Sequence, residues 1–394
     1  MTCPEQAYVR ALASIAPSPT ALESARAALK LRGFSPAAAC ELAARNWVLP
    51  AVAHNTRSHP DLCPPGSSAA DSQFRLATAT AQLRLTTIER HLAPVCELWN
   101  SSGIPWALMK GAALIASIYP PGTRLLNDVD VLVSFEAYDA ARRVLLESGF
   151  VPLNGNRNEQ EWLAIKGATT FSNWDAAGSA ATTIDLHTQT YAPDRPFQFV
   201  TADLLSRRRP AHFGAIPVSV LNPADVLLHL ATQLVNDRLL TTLLRLADLD
   251  LLLCRTDAAE CERRAAETGS GVALAFARAA VARVFPGAPH TPAAADPLPA
   301  RAAKIARALI RRGWPWADSL ERLSESYRRV AADVLEEGFR GAITRCLSLQ
   351  RAINDQRNRR ESGVSVTRSL LGGVRMAVRN TVALASVGWD FRSA

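Results

Sequence analysis

The sequence predicts an α+β fold in which a mixed sheet flanked by helices lies between helical N-terminal and C-terminal regions. Short apolar runs alternate with helical patterns in the middle of the chain, which is typical of a mixed core. Residues rich in Ala and Leu recur at helical spacing on both sides of it. At 394 residues with 48% hydrophobic content, the chain is long enough for two or three domains.

The N-terminal region, residues 1–100, is predicted to be helical. Alanine and leucine at helical spacing predict the short helices, and a Pro-Gly-Ser cluster predicts a loop before the long one. Gly103 and Pro105 end the last helical pattern. The predicted elements are helices at 22–29 and 37–47, a loop at 62–68 and a long helix at 71–101.

The central region, residues 101–221, is predicted to hold the α/β core. Ser134 can cap the helix that follows the second strand, with Glu136 in its first turn, and Gly149 is well placed to end it. A loop is predicted at 175–179. The predicted strands are 106–109, 129–133, 168–172 and 182–188, and a further short helix is predicted at 112–118.

Helical patterns return at residue 222. Asn222-Pro223-Ala224-Asp225 combines a cap, a proline in the first turn and an acid, which predicts a helix start. We expect a helical substrate-side subdomain over 222–285 and a basic helical region over 300–394, with a linker at 286–299 between them. The predicted helices are 223–236, 239–254, 257–267, 270–284 and a segment from 300 to 386 with interruptions at 314–316 and 362–363.

Composition narrows the class of protein. Apolar stretches too short for a membrane span and an N-terminus unlike a signal peptide favour a cytoplasmic protein. The seven cysteines are scattered and form no CxxC pair, which predicts reduced, mostly buried thiols and disfavours zinc. A net charge of +8 and a pI near 9.4 permit an anionic partner without showing one.

Two aspartates alternate with valines in Asp128-Val129-Asp130-Val131. In a strand, side chains two residues apart point to the same face, so both carboxylates are expected side by side. Stacked carboxylates repel each other, and proteins tolerate them where a divalent cation sits between them. We therefore predict metal ligands here; the alternative is a pair of solvated acids at a strand end.

A third acid is expected on a neighbouring strand, and Asp185 in Ile184-Asp185-Leu186-His187 is the best candidate. Asp185 would share the metal and take the proton of an acceptor hydroxyl. His187 lies on the same face and would orient Asp185 or touch substrate. The alternatives are an exposed strand acid and a buried, hydrogen-bonded histidine.

Cationic and glycine residues near the acids suit a polyphosphate. Lys110 and Gly111 follow a short apolar run, and Arg124 lies just before the acids. Together they offer positive charge and a backbone that can approach phosphate closely. Arg245 and Asp248 lie three apart in a leucine-rich helix, where they would pair with each other or line the cleft opposite the sheet.

The C-terminus is basic and amphipathic. A helix packed on the body is the favoured interpretation, and contact with RNA or an acidic protein is the alternative. The arginines concerned are Arg351, Arg357, Arg359, Arg360, Arg368, Arg375 and Arg379.

These motifs resemble the nucleotidyltransferase superfamily typified by DNA polymerase beta, and more closely its uncharacterised bacterial branch. That branch shows Leu-Lys-Gly, an arginine before Asp-Ile-Asp-Leu-Leu-Val, and a later Asp-Leu-His. The matching segments, found between about residues 20 and 255, are Leu108–Gly111, Arg124, Asp128–Val133, Asp185–His187 and a helical Arg-Leu-x-Asp-Leu at Arg245–Leu249.

The resemblance implies a mixed sheet with flanking helices, magnesium at Asp128, Asp130 and Asp185, and an NTP as donor. Two departures matter. This chain has Ala112 after Gly111, where better-studied members carry a serine or glycine, so one hydroxyl to phosphate is missing, and the interval from Gly111 to Asp128 is longer than in minimal members.

The first hypothesis is a nucleotidyltransferase that moves NMP from an NTP to a hydroxyl acceptor and uses magnesium, with two ions expected in the manner of two-metal sites. A small-molecule or peptide acceptor is favoured over RNA because the basic charge is diffuse. The alternatives are a catalytically inactive module that binds nucleotide or a partner, and an RNA-directed enzyme such as a tRNA-directed toxin.

Overall fold

The computed structural model describes most of the chain up to residue 316. The predicted loop at 175–179, most of the predicted linker and the arginines from Arg351 to Arg379 lie outside the described residues. The described residues are 3–64, 68–153, 163, 167–174, 180–191, 197, 199–237, 239–285, 287, 297–312, 314–316, 328, 331–332, 334–335, 383 and 386–387.

Helices surround one sheet, which confirms the predicted α+β class. The helices are α1 (Pro4–Leu12), α2 (Pro19–Leu29), α3 (Pro36–Arg45), α4 (Leu49–Ser58), α5 (Ser68–Ser101), α6 (Lys110–Ser117), α7 (Tyr138–Glu147), α8 (Thr201–Ser206), α9 (Pro223–Asn236), α10 (Leu243–Arg255), α11 (Ala258–Glu267), α12 (Gly271–Val284) and α13 (Pro297–Arg311). The strands are β1 (Trp106–Leu108), β2 (Val129–Val133), β3 (Val151–Pro152), β4 (Ala168–Trp174), β5 (Ala180–His187), β6 (Arg209–Phe213) and β7 (Ile216–Val220).

The seven strands form one mixed sheet in the order β3-β4-β5-β2-β1-β7-β6. The pairs β2–β5 and β1–β7 are parallel, and the other pairs are antiparallel. Every residue of β2 is buried, which is what an apolar strand in the middle of a sheet requires. Because β2 lies in the middle of the sheet, the side chains that it carries are held by a rigid part of the backbone.

The long helix α5 connects the N-terminal helices to the sheet. It packs on α3 and α4 at one side and on β5, β7 and α7 at the other. Trp99, near its C-terminal end, is fully buried, and its indole N–H donates to the carbonyl of Ala141 in α7. Buried hydrophobic residues of the N-terminal helices, the sheet and the later helices form one continuous cluster. The domain boundaries expected from the sequence stay a prediction.

Several helix and strand predictions are confirmed within a few residues. The Asn222 side chain caps α9 by accepting from the Ala224 amide at 3.0 Å, with Pro223 and Asp225 in the first turn. Gly149 has a φ of +83° and ends α7 as predicted, because a residue in this left-handed conformation terminates a helix.

Other predictions are wrong. Ser134 does not cap α7, which begins at Tyr138; its hydroxyl instead accepts from the Ala137 amide at 3.2 Å in a turn before the helix, so Glu136 is not in the first turn. The linker prediction extends too far, because α13 begins at Pro297. The elements missed by sequence are β3, α8, β6 and β7.

Two further properties follow from the described residues. No helix in the described part of the chain has the length and apolar character needed to cross a membrane. The six described cysteines form no disulfide with one another, and only half of them are buried, so the prediction of mostly buried thiols is too strong. Cys346 lies outside the described residues.

Candidate active site

Adjacent parallel strands bring two of the predicted acids side by side. In the β2–β5 pairing, Asp130 lies opposite Asp185, and Leu132 lies opposite His187. Because side chains alternate along a strand, Asp185 and His187 share the face that carries Asp130. One ligand atom of each of Asp130, Asp185 and His187 lies within 4.8 Å of the others. Neither strand alone would form this cluster.

Asp130 is the most strongly held of the acids. Its Oδ1 accepts from Lys110 Nζ at 2.5 Å and lies 2.9 Å from His187 Nε2. Burial alone would raise the pKa of Asp130, but the Lys110 ammonium and the His187 hydrogen bond hold that pKa well below its ordinary range. In the same way, burial favours the neutral amine of Lys110, yet Asp130 keeps its pKa above the ordinary value. The two side chains therefore form a charged pair at neutral pH.

Asp128 precedes β2 and lies at the open side of the cluster, where it is exposed. Protein atoms nevertheless enclose its carboxyl closely enough to raise its pKa, and the charges of Asp130 and Asp185 raise it further. Three carboxylates thus influence one another with one nearby ammonium, that of Lys110. This excess of negative charge is what an added cation would relieve.

Hydrogen bonds from two side chains, those of Thr170 and Arg84, hold in place the strands that carry the acids. Thr170 on β4 lies opposite Asp185 and donates its hydroxyl proton to Asp185 Oδ1 at 2.6 Å. Arg84 of α5 donates to the carbonyl oxygens of Leu126 at 3.2 Å and Asn127 at 2.6 Å, and also to that of Ala181. One arginine therefore ties together the segments that lead into β2 and β5.

The turn between β1 and α6 has an unusual backbone. Lys110 has a φ of +45°, a left-handed conformation that a residue with a side chain seldom adopts. At the next residue, a Cβ added to Gly111 would lie 2.6 Å from Nη1 of Arg124. Glycine is therefore required at 111 so that the guanidinium can lie against the backbone.

Arg124 is held deep in the wall of the site. Its Nε and Nη2 donate to the two carboxylate oxygens of Asp248 at 2.9 and 2.8 Å, and its Nη1 donates to the Leu125 carbonyl at 3.1 Å. The Tyr119 hydroxyl donates to the same Asp248 carboxylate at 2.8 Å. The side chains of Arg124 and Asp248 are 9% and 2% exposed, so this is a buried ion pair.

A cavity of about 350 Å³ opens between the acids and α10. Seven of the predicted site residues line it: Lys110, Gly111, Arg124, Asp128, Asp130, Arg245 and Asp248. Arg245 does not pair with Asp248, as one interpretation of the sequence had it, because Asp248 is engaged by Arg124; Arg245 instead donates to Asp237 at 2.7 Å at the rim.

A family model described as an uncharacterised nucleotidyltransferase matches residues 33–286, which include every residue of this site. The chain belongs to this nucleotidyltransferase family. The match spans the strands with the acids, the Lys110–Gly111 turn and α10. No curated protein matches the chain. Family membership supports transferase activity and gives the acids a chemical context that geometry alone does not.

The predicted site residues thus converge, with two differences in their contacts. His187 is buried and hydrogen-bonded, as the alternative interpretation expected, but its partner is Asp130 and not Asp185. Arg124 is held by Asp248, a partner that was not predicted for it. Thr170 and Tyr119 were missed, because each is recognisable only from its partner across the sheet or across the cavity.

The donor set fits a divalent cation. Asp130 and Asp185 supply carboxylate oxygens, the ligands that magnesium and manganese prefer, and His187 adds an imidazole that suits transition metals. Among the described residues, the buried Nδ1 of His187 has no hydrogen-bond partner. The residues present therefore match a metal centre in charge and chemistry.

Proposed function

We propose that this protein is a magnesium-dependent nucleotidyltransferase that transfers NMP from an NTP to a hydroxyl acceptor and releases pyrophosphate. The observation that carries the proposal is the placement of Asp130 beside Asp185 on adjacent strands, with Asp128 at their edge, inside the segment that matches the family. We further place the family in the polymerase beta-like superfamily, on the Asp-x-Asp motif with Lys-Gly upstream and a third Asp downstream.

In the proposed reaction, the acceptor oxygen attacks the α-phosphorus, the bond from that phosphorus to the bridging oxygen breaks, and pyrophosphate leaves. Asp128, Asp130 and Asp185 would hold one or two magnesium ions, which supply charge neutralisation at the phosphates when bound. Asp185 takes the acceptor proton, and Thr170 keeps its carboxylate in place. Asp130 is kept ionised by Lys110 and His187.

Cations on the other side of the cavity would receive the triphosphate. Arg245 is half exposed and its partner Asp237 is at the rim, so it can turn toward a phosphate at little cost. Arg124 offers the N–H groups that Asp248 and Leu125 do not use, in a fixed orientation. Lys110, whose ammonium donates to Asp130 Oδ1 at 2.5 Å, lines the same cavity and would bind phosphate by turning from this carboxylate toward the cavity.

A nucleotide-binding module without activity is the second candidate. The engagement of Lys110 by Asp130 and of Arg124 by Asp248 favours it, because both predicted phosphate ligands already have anionic partners. Ala112, which offers no hydroxyl, points the same way.

Pyrophosphate release separates the two candidates. Wild type should release pyrophosphate with magnesium, one of the four NTPs and an extract of the source organism as the supply of acceptor. Asp130→Asn should lower the rate at least about a hundredfold, since charge neutralisation at phosphate is worth several kcal/mol. Asp139→Asn, at an exposed acid of α7, is the matched control and should keep the wild-type rate. Retention of activity by Asp130→Asn would exclude this mechanism.

Metal binding can be measured without turnover. Magnesium or manganese at a hundred times its dissociation constant should stabilise wild type by about 2.7 kcal/mol, seen as a raised melting temperature. Asp130→Asn should lose most of this shift, and Asp139→Asn should keep it. NTP binding without pyrophosphate release under any condition would support the inactive module.

A further inference from the structure

An apolar groove lies next to the proposed catalytic cavity. It has a volume of about 490 Å³ and runs between the end of α3, the start of α4 and one face of α5. Trp47 and Leu125 line both the groove and the cavity, so the two spaces adjoin each other at these residues. We propose that this groove receives an apolar or aromatic group of the acceptor, which places the acceptor hydroxyl at the acids. The inference rests on the proposed function.

The lining of the groove selects against a phosphate-bearing partner. Most of its wall is hydrocarbon, contributed by residues such as Leu49, Pro50, Leu76 and Ala77. Of the described residues that line it, Glu41 is the one with a charge, and none is a lysine or arginine. An RNA end would bring phosphates to a surface with a carboxylate and no cation, which is unfavourable. A neutral or cationic acceptor with an apolar group fits both the shape and the charge.

Trp47 provides an independent indication that this place binds a ligand. It follows the C-terminal end of α3 with a φ of +65°, and its amide donates to the carbonyl of Ala44 at 3.0 Å. Helix ends of this kind usually carry glycine, because a side chain in the left-handed region costs about 1–2 kcal/mol. The chain nevertheless keeps a large indole there, 41% exposed, at the junction of groove and cavity. Strain retained in an exposed aromatic residue points to binding rather than to packing.

Leu76 is the second anchor. It lies on α5 facing the groove and is 66% exposed, which leaves its apolar surface in water. An acceptor side chain in the groove would cover this surface, and each buried methylene would strengthen binding by about fourfold. The same helix carries Leu83, seven residues on, which is 69% exposed and does not line the groove. Leu83 is therefore a matched control for substitutions at Leu76.

The test uses the neutral fluorescent dye N-phenyl-1-naphthylamine as an apolar probe of the full-length protein. Wild type and Leu83→Arg should bind the dye equally, and Leu76→Arg should bind it at least about tenfold more weakly. Primary alcohols from ethanol to hexanol should displace the dye with affinities that rise up to about fourfold per methylene. Saturating magnesium and NTP should leave dye binding in place.

An inhibition experiment tests whether the groove binds the acceptor. In the extract-dependent release of pyrophosphate, the dye should inhibit wild type by competing with the extract and not with the NTP. Equal dye binding by Leu76→Arg and wild type would overturn the proposal. So would displacement of the dye by NTP, which would assign the groove to the nucleobase, or uninhibited turnover with dye bound. A wild type that never releases pyrophosphate would remove the proposed function, and with it the acceptor assignment, whatever the dye binding shows.

Discussion

Two clusters of charge lie on opposite sides of the same cavity, and they are balanced in opposite ways. On the α10 side, the guanidinium of Arg124 faces one carboxylate, that of Asp248, through two parallel hydrogen bonds, and Tyr119 donates a third. On the sheet side, Asp128, Asp130 and Asp185 influence one another with a single ammonium between them. The first cluster is electrically complete and the second carries excess negative charge.

This difference separates a structural role from a chemical one. A buried pair whose two charges neutralise each other needs no added ion and holds the cavity wall in shape, while the N–H groups of Arg124 that it leaves unused can still donate to a phosphate. Burial of its carboxyl and the charges of Asp130 and Asp185 together raise the pKa of Asp128, so this group of carboxylates has a free-energy cost that a divalent cation can relieve. We therefore expect substitutions on the α10 side to change stability first, and substitutions on the sheet side to change metal binding and activity first.

The largest expected effect on stability comes from breaking the complete cluster. Asp248→Ala should lower the free energy of unfolding by about 3–5 kcal/mol, because it leaves the buried guanidinium of Arg124 without its partner. Urea denaturation at neutral pH measures the change. The triple variant Tyr119→Phe, Arg124→Met and Asp248→Leu should recover most of the loss, since it leaves neither the guanidinium nor the Tyr119 hydroxyl buried without a partner.

An exposed pair supplies the control for this prediction. Asp71 and Arg75 lie 2.6 Å apart on the surface of α5, and Asp71→Ala should cost at most about 1 kcal/mol. If Asp248→Ala cost no more than Asp71→Ala, the cluster would not be the complete, desolvated pair described above.

A further carboxylate on the same helix as Asp248, that of Asp250, is buried and has no cationic partner described above. Burial raises the pKa of Asp250 from 3.8 to about 6. The folded protein therefore holds this proton more tightly than the unfolded chain, and stability falls as the pH rises from about 4 to about 6. Asp250→Asn should raise the free energy of unfolding at pH 7.5 by up to about 3 kcal/mol. The gain should shrink at pH 4.5.

Denaturation of wild type and Asp250→Asn at both pH values provides the measurement. If Asp250→Asn raised the free energy of unfolding equally at pH 4.5 and pH 7.5, the gain would come from packing and not from removal of a buried charge.

The sequence predicted the acids because their spacing carries the information. Two aspartates alternating with valines in an apolar run are expected on one face of a strand; Asp130 lies within β2, and Asp128 directly precedes it. Asp185 could be proposed as a neighbour because an apolar strand pattern surrounds it. In both cases the information is local, and the fold adds only the pairing of β2 with β5.

Contacts across long sequence separations were not predictable in this way. Arg124 and Asp248 are 124 residues apart, and the nearby Arg245 was the more obvious partner on helical spacing. The strands β6 and β7 were also missed, although Ile216, Val218 and Val220 alternate and Gly214 marks the turn before them. The positive φ of Gly214, +60°, marks the turn between β6 and β7, and the two short strands are easier to recognise once this turn is known.

The smallest expected effect tests where the two clusters meet. Gly111→Ala would place a Cβ 2.6 Å from Nη1 of Arg124, so the guanidinium or the α6 backbone must shift, at a cost of about 1–3 kcal/mol. NTP affinity should fall as well, because Arg124 and Lys110 move together with this turn.

Gly271→Ala is the matched control, since a Cβ there meets no atom within 4 Å, and it should be neutral or slightly stabilising. Denaturation and an NTP titration of both variants provide the measurement. A Gly111→Ala protein with unchanged stability and NTP affinity would show that the wall of Arg124 and the acidic strand are mechanically independent.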